Sequence, residues 1–320
     1  MIGPDGLEML ARSGGAPNAP YLLLDLRQPP LDAIQWAPWL RTQPCPVLAL
    51  ANPGEENALL QASDVVAASE DELGSVIANI THAPIAASVL VQTLRVSETM
   101  APEDALVVES LAYATLQAGP EFARWKAERD KPDPPPPENG PPLLLERGDE
   151  VLSVTLNRPR NRNAISVEMR DALVEAFALA AADETIAKLA VSGTGACFSV
   201  GGDLAEFGLA PSPALAHMIR MQRLPARALL PAAERAEFHL RGACIGAGVE
   251  LPAFARRVAA SADAFFQLPE IRFGLIPGAG GCVSIPRRIG RQRMAYLALS
   301  ARRISARRAL SWGLIDEITR

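Results

Sequence analysis

Histidine is scarce in this 320-residue chain, which has only His82, His217 and His239, far apart in sequence. Cysteine is scarce too: Cys45, Cys197, Cys244 and Cys282 form no CxxC pair and lie beside no histidine cluster. Metal-ligand spacing is therefore missing, and the cysteines read as free thiols of a reducing compartment. Positive charge is also short. With 31 Lys and Arg against 36 Asp and Glu, the formal charge of −5 argues against a nucleic-acid binder but allows a local basic patch for a small anion. No apolar run reaches the roughly 18 residues needed to span a bilayer. The N-terminal MIGPDGLEMLARSGG lacks the basic and long apolar regions of a secretory leader. The expectation is a soluble, cytoplasmic protein without a membrane or nucleic-acid partner.

Proline is plentiful, and its densest stretch, KPDPPPPENGPP at 131–142, divides the chain. Proline removes backbone donors and favours the extended polyproline form, so this segment reads as a semi-rigid linker able to bridge roughly 35 Å. Residues 1–63 read as a small α/β extension, with YLLLDL and PVLALA as buried strands. DAIQWAPWL, interrupted by Pro38, and ENALLQAS read as its helices. Residues 64–130 turn helical, with Pro84, Pro102 and Pro120 each at a helix start, where a missing N–H is tolerated.

After the linker, residues 143–320 alternate strands with helices, the pattern of an α/β domain. LLLERGDEVLSVTL predicts a hairpin turning at Gly148 and Asp149. Residues 166–183 predict an amphipathic helix capped by Ser166, with Met169, Leu173 and Phe177 on one face. KLAVSGTG predicts a strand, AEFHLRGACIGAG a further strand ending in a tight turn, and VELPAFARRV the beginning of a helix.

Two glutamates, Glu250 and Glu270, sit among apolar neighbours. A buried carboxylate costs several kcal/mol unless it is paired, hydrogen-bonded or protonated, so each marks a catalytic site or a structural partner. The structural alternative has Glu250 capping a helix and Glu270 paired with an arginine. Two small-residue turns, FSVGGD and CIGAG, bring exposed N–H groups. Converging, they would form an oxyanion hole.

LNRPRNRNAISVEM, CFSVGGDL, GACIGAGVELPAFARRVAASADAFFQLPEIRFGLIPGAGG and RISARRALSWGLIDEI occur in that order. Together they resemble the enoyl-CoA hydratase/isomerase (crotonase) family over nearly all of 143–320. The resemblance implies an α/β fold with a crotonase-like ββα spiral core, acting on an acyl-CoA thioester. No cofactor is implied beyond the coenzyme A carried by the substrate. By motif position, the N–H groups of Gly202 and Ala247 would form the oxyanion hole. Glu250 would orient and activate water, and Glu270 would protonate Cα. Arg162, Ala164, Val200, Gly201, Asp203, Leu204, Pro269 and Gly278 fall on substrate-binding positions. Arg160 and Arg162 are either partners for the CoA phosphates or a solvated basic loop, and residues 211–231 would line the acyl end.

The chain also departs from the family. Arg256 stands where aspartate is common, and the helices that usually follow the GLIDEI segment do not follow it here. Residues 64–95 and 106–129 resemble that section, which implies a circular permutation with these helices placed before the core. An unrelated helical domain is the alternative, and residues 1–63 could be a degenerate half-copy of the core. The implied activity is enoyl-CoA hydration, in a homo-oligomer that the family builds as a trimer or hexamer. The alternatives are double-bond isomerisation, acyl-CoA hydrolysis or non-catalytic acyl-CoA binding.

Overall fold

The computed structural model describes residues 19–27, 33–129 and 138–319. The N-terminal MIGPDGLEMLARSGG, Asp32 at the start of the first expected helix and the linker up to Pro137 lie outside the described residues.

The first part builds a three-stranded parallel sheet in the order β1 (Leu22–Asp25), β2 (Val47–Leu50), β3 (Val65–Ala67). Between its strands run α1 (Ala37–Arg41), preceded by a 3-10 turn at Ala33–Trp36, and α2 (Ala58–Ala62). Pro38 does not interrupt a helix as expected. It occupies the first turn of α1, where it has no hydrogen bond to break. Asn57 caps α2, its side chain accepting the Leu60 N–H at 3.0 Å.

Four helices follow: α3 (Glu70–His82), α4 (Pro84–Ser97), α5 (Pro102–Gln117) and α6 (Pro120–Glu128). As expected, Pro84, Pro102 and Pro120 stand in the first turns of α4, α5 and α6. No single helix among the described residues is long and apolar enough to cross a membrane. Only α3 and α4 together, bent by 111°, approach that length, and Leu73, Val76, Ile80, Leu90 and Leu94 on them are buried.

The third part begins with the expected hairpin, β4 (Leu143–Arg147) antiparallel to β5 (Val151–Leu156). Next come α7 (Val167–Ala182), whose Ser166 cap accepts the Met169 N–H at 3.3 Å, and β6 (Lys188–Gly193). Then follow α8 (Pro213–Arg223), α9 (Pro225–Leu229), β7 (Ala236–Leu240), β8 (Ala243–Ile245) and the single turn α10 (Ala247–Glu250). The chain closes with β9 (Arg257–Ser261), β10 (Phe265–Gln267), α11 (Gly281–Ile289), α12 (Arg291–Ser300), β11 (Ile304–Ser305), α13 (Ala306–Trp312) and β12 (Glu317–Thr319). Six strands form one sheet in the order β12-β9-β7-β6-β5-β4, and three form another, β11-β10-β8.

Two expectations need correction. AEFHLRGACIGAG is two strands rather than one: the chain turns at Arg241–Gly242, and β7 and β8 enter different sheets. VELPAFARRV does not begin a long helix. Pro252 has no N–H to return to Gly248, so α10 gives way to a 3-10 turn at Pro252–Phe254. Arg257 then starts β9, which pairs with β7.

Residues 65–129 are not a separate body. Leu73, Leu90, Leu106 and Phe122 share one continuous apolar core with Phe177, Phe238 and Phe266. Each such side chain contributes roughly 1.5–3 kcal/mol by leaving water. Asp64, 1% exposed, joins the parts again: it accepts from Val47 N at 2.8 Å, Arg95 Nε at 2.9 Å and Arg291 Nη1 at 2.8 Å. The end of the linker docks on the core, where Glu138 accepts the Asn161 N–H at 3.1 Å.

Candidate active site

Asn163 organises the first turn. Its backbone is left-handed (φ 52°), and its buried side chain donates to the carbonyls of Thr194 and Cys197 at 2.9 and 3.1 Å. The Asn163 carbonyl accepts Ser199 Oγ at 2.7 Å, and Ser199 Oγ accepts the Gly201 N–H at 3.1 Å. The 199–203 segment is thereby threaded between two others. Ile165 N donates to Gly201 O at 2.8 Å on one side, and Ile245 N donates to Ser199 O at 3.0 Å on the other.

This threading brings the two small-residue turns together. Gly201 (φ 85°) approaches so closely that a Cβ there would lie 2.6 Å from Ile245 O and 3.4 Å from Ala247 N. Gly246 (φ 52°) turns the chain from β8 into α10 in a conformation L side chains rarely adopt. The N–H groups of Gly202 and Ala247 have no acceptor among the described residues. Both residues line a cavity of about 170 Å³ that also holds Glu250 and Glu270.

The two carboxyls meet at that cavity in opposite environments. Glu250 is 2% exposed, and its Oε2 accepts the N–H groups of Ala279 at 2.7 Å and Gly281 at 2.8 Å, at the start of α11. Burial pushes its carboxyl up to about 7, and the two amides hold it from rising further. Glu270, 8% exposed, has a buried Oε2 without a hydrogen-bond partner. Burial, then the negative charge of Glu250, raises its carboxyl well above the ordinary range. A Cβ on Gly246 would lie 2.7 Å from Glu270 Oε1 and 3.9 Å from Glu250 Oε1, so both oxygens flank one spot. The structural alternative is half met: Glu250 does bind a helix start, but Glu270 has no arginine partner among the described residues.

A second cavity, about 610 Å³, opens from the Gly202 and Glu270 side. It gathers Arg162, Ala164, Val200, Gly201, Asp203, Leu204 and Pro269, seven of the eight expected substrate-binding positions, and the eighth, Gly278, lines the Glu250 cavity. Arg160, Arg272 and Arg303 join Arg162 there, a cationic rim suited to phosphate groups. A third space, about 470 Å³, is lined by Ala216, Ile219 and Arg220 from the 211–231 segment. Arg256 is exposed and lines none of these three cavities. Among the described residues no cluster of His, Cys, Asp or Glu is arranged to hold a metal.

A family model described as Enoyl-CoA hydratase/isomerase matches residues 146–320, more than half of the chain. The chain belongs to the enoyl-CoA hydratase/isomerase family. It is 34% identical over 181 residues to the 2,3-dehydroadipyl-CoA hydratase of Escherichia coli K12, covering 55% of this chain and 68% of that protein. It is 33% identical over 178 residues to the 1,2-epoxyphenylacetyl-CoA isomerase of the same organism, covering 54% and 67%. The enoyl-CoA hydratase structure from Thermoplasma volcanium GSS1 superposes with a TM-score of 0.52 at 31% identity, over 56% of this chain and 72% of that one. The chain is thus similar to enzymes of this crotonase family, which act on acyl-CoA thioesters, and has their mixed α/β fold.

Family motifs do not reveal three further residues at this candidate site, all supplied by α5 and α8. Glu109 of α5, 1% exposed, accepts the N–H groups of Gly280 and Cys282 at 2.7 and 2.8 Å. Burial and the charge of Glu250 raise its carboxyl well above the usual range. Tyr113 and Arg220 line both the Glu250 cavity and the 470 Å³ space beside it. One signal for Glu109 is present in the sequence: it follows Ala105 and Leu106 at helical spacing on a buried face.

Proposed function

We propose that the protein is an enoyl-CoA hydratase, adding water reversibly and syn across the double bond of a 2-enoyl-CoA. The observation that carries this reading is the unequal pair: Glu250 Oε2 held by two amides, Glu270 Oε2 held by none, beside one small space. Two carboxyls whose surroundings differ in this way can divide base and acid work.

In this reading the thioester oxygen accepts the N–H groups of Gly202 and Ala247, which stabilise the enolate that forms as water attacks Cβ. Glu250, ionised, takes a proton from the water. Glu270, protonated, delivers its proton to Cα. The pair returns to its starting state when the proton on Glu250 passes to Glu270, so the net change is H and OH added to the alkene. The arginine rim, Arg160, Arg162, Arg272 and Arg303, would hold the CoA phosphates.

The proposal includes the chain order. Residues 64–130 would take the place of the helices that usually follow the family core, a reading supported by the apolar core they share with it. A cytoplasmic homo-oligomer, trimeric or hexameric and needing no separate cofactor, completes the proposal. Purified protein incubated with short, long, branched and aromatic 2-enoyl-CoAs should consume the enoyl-thioester absorbance of at least one. Tight CoA-ester binding with no loss of absorbance for any would replace the hydratase reading with that of a binding subunit.

A further inference from the structure

The inner end of the acyl space carries a guanidinium that forms no salt bridge among the described residues. Arg220, on α8, donates through Nε to Ser110 Oγ at 3.0 Å, through Nη1 to Gln117 Oε1 at 3.2 Å and through Nη2 to the Ser110 carbonyl at 3.3 Å. All three acceptors are neutral. Its guanidinium stacks 4.6 Å from the centre of the Tyr113 ring. Burial lowers its proton affinity from the ordinary value and outweighs the charge of nearby Glu109, which forms no salt bridge with it among the described residues. An arginine has five N–H donors, so one on each terminal nitrogen remains available, the pair a carboxylate can take together.

The nearby acids are already committed. Glu109 gives its two oxygens to Gly280 and Cys282. Glu206, at the outer wall, accepts the Val167 N–H at 2.7 Å, and Asp203 accepts the Ala205 N–H at 2.9 Å. Arg170, on the same lining, is bound to Asp171. Among the described residues Arg220 is therefore the cation on this lining that is partly buried and forms no salt bridge, and it faces the cavities holding Glu250 and the oxyanion N–H groups.

We propose that Arg220, backed by Tyr113, binds an anionic group at the far end of the acyl chain, so that the substrates are acyl-CoA thioesters bearing a distal carboxylate. The proposal rests on the acyl-CoA reading above and names the class of acyl group. A fully apolar acyl tail would leave the guanidinium desolvated and unpaired, whereas a carboxylate supplies the charge-assisted bonds it lacks.

Equilibrium binding of unreactive saturated thioesters tests it. Succinyl-, glutaryl- and adipoyl-CoA would each be titrated calorimetrically against the neutral acyl-CoA of equal carbon number. At least one carboxylated member should bind tenfold or more tightly than its neutral counterpart. Arg220→Met should abolish that preference and Arg220→Lys should retain part of it. Equal affinities within every pair in the unmodified protein, or a preference unchanged in Arg220→Met, would overturn the proposal while leaving the acyl-CoA reading intact. If no acyl-CoA binds at all, the acyl-CoA reading itself fails. Should Arg220→Met not fold, the unmodified protein and Arg220→Lys still decide the matter.

Discussion

Glu109 and Glu250 hold alternate amides of one helix start: Glu250 takes Ala279 and Gly281, and Glu109 takes Gly280 and Cys282. One residue comes from the helical segment before the linker and the other from the core after it. The GAGG turn that begins α11 is thus clamped by two carboxyls from distant parts of the chain. This arrangement makes Glu109 a positioning residue for Glu250.

Glu109→Gln keeps one acceptor and removes a titratable carboxyl close to Glu250 and Glu270. The charge Glu109 can carry helps to raise Glu270, so in the variant Glu270 should ionise more readily and the alkaline limb of the pH–rate profile should move to lower pH. The amide left facing an N–H donor should cost about 1–3 kcal/mol of stability. A pH–rate series on the variant, with a denaturant titration, checks both effects. An alkaline limb that does not move would show that Glu109 does not act on Glu270.

The pH dependence of the unmodified protein has a definite sign. Glu250 must be ionised to take a proton, so kcat/KM for hydration should rise as pH climbs through about 7. It should fall again where Glu270, held well above its ordinary range, loses its proton. Stability should run the other way. The native state keeps protons on these acids that the unfolded chain has released, so stability declines as pH rises from about 4.5 through 7. Denaturant midpoints at pH 5 and pH 8 test that slope.

Glu250→Gln and Glu270→Gln should each lower hydration by about 10²–10⁴-fold. Their stabilities should differ. Glu270→Gln replaces a buried carboxyl whose Oε2 has no partner and should be near neutral in stability, whereas Glu250→Gln loses one acceptor for the α11 amides. Kinetics and melting curves on both variants separate chemistry from folding. Equal hydration in either variant and the parent would remove that residue from the mechanism.

Gly278→Ala should disturb the acyl pocket, because a Cβ at 278 would overlap the Tyr113 ring at Cδ2 and Cε2. The ring must shift, at about 1–3 kcal/mol, and its stacking on Arg220 should loosen. Weaker acyl-CoA binding with lowered stability is the expected result, read by calorimetry and thermal unfolding.

Features encoded locally were legible in the sequence. The β4–β5 hairpin, the Ser166 cap and the three prolines at helix starts depend on a few adjacent residues, and all are found. The separation of β7 from β8 was not legible, because partner strands far away in sequence decide which sheet each one joins. Nor did an apolar-looking VELPAFARRV reveal that Pro252 would end its helix after one turn. The motif residues converge because they lie in ordered turns of one domain. Glu109, Tyr113 and Arg220 escaped notice because they sit on helices whose spacing looks ordinary. Only the packing of α5 against α8 and α11 turns them toward the same cavity region.

The most direct test of the central claim is mass spectrometry of the product formed from a turned-over 2-enoyl-CoA in ¹⁸O-labelled water. The proposed hydratase activity predicts one labelled oxygen at Cβ of a 3-hydroxyacyl-CoA, with the thioester intact. Label in a released carboxylic acid, or a shifted double bond with no label, would contradict it.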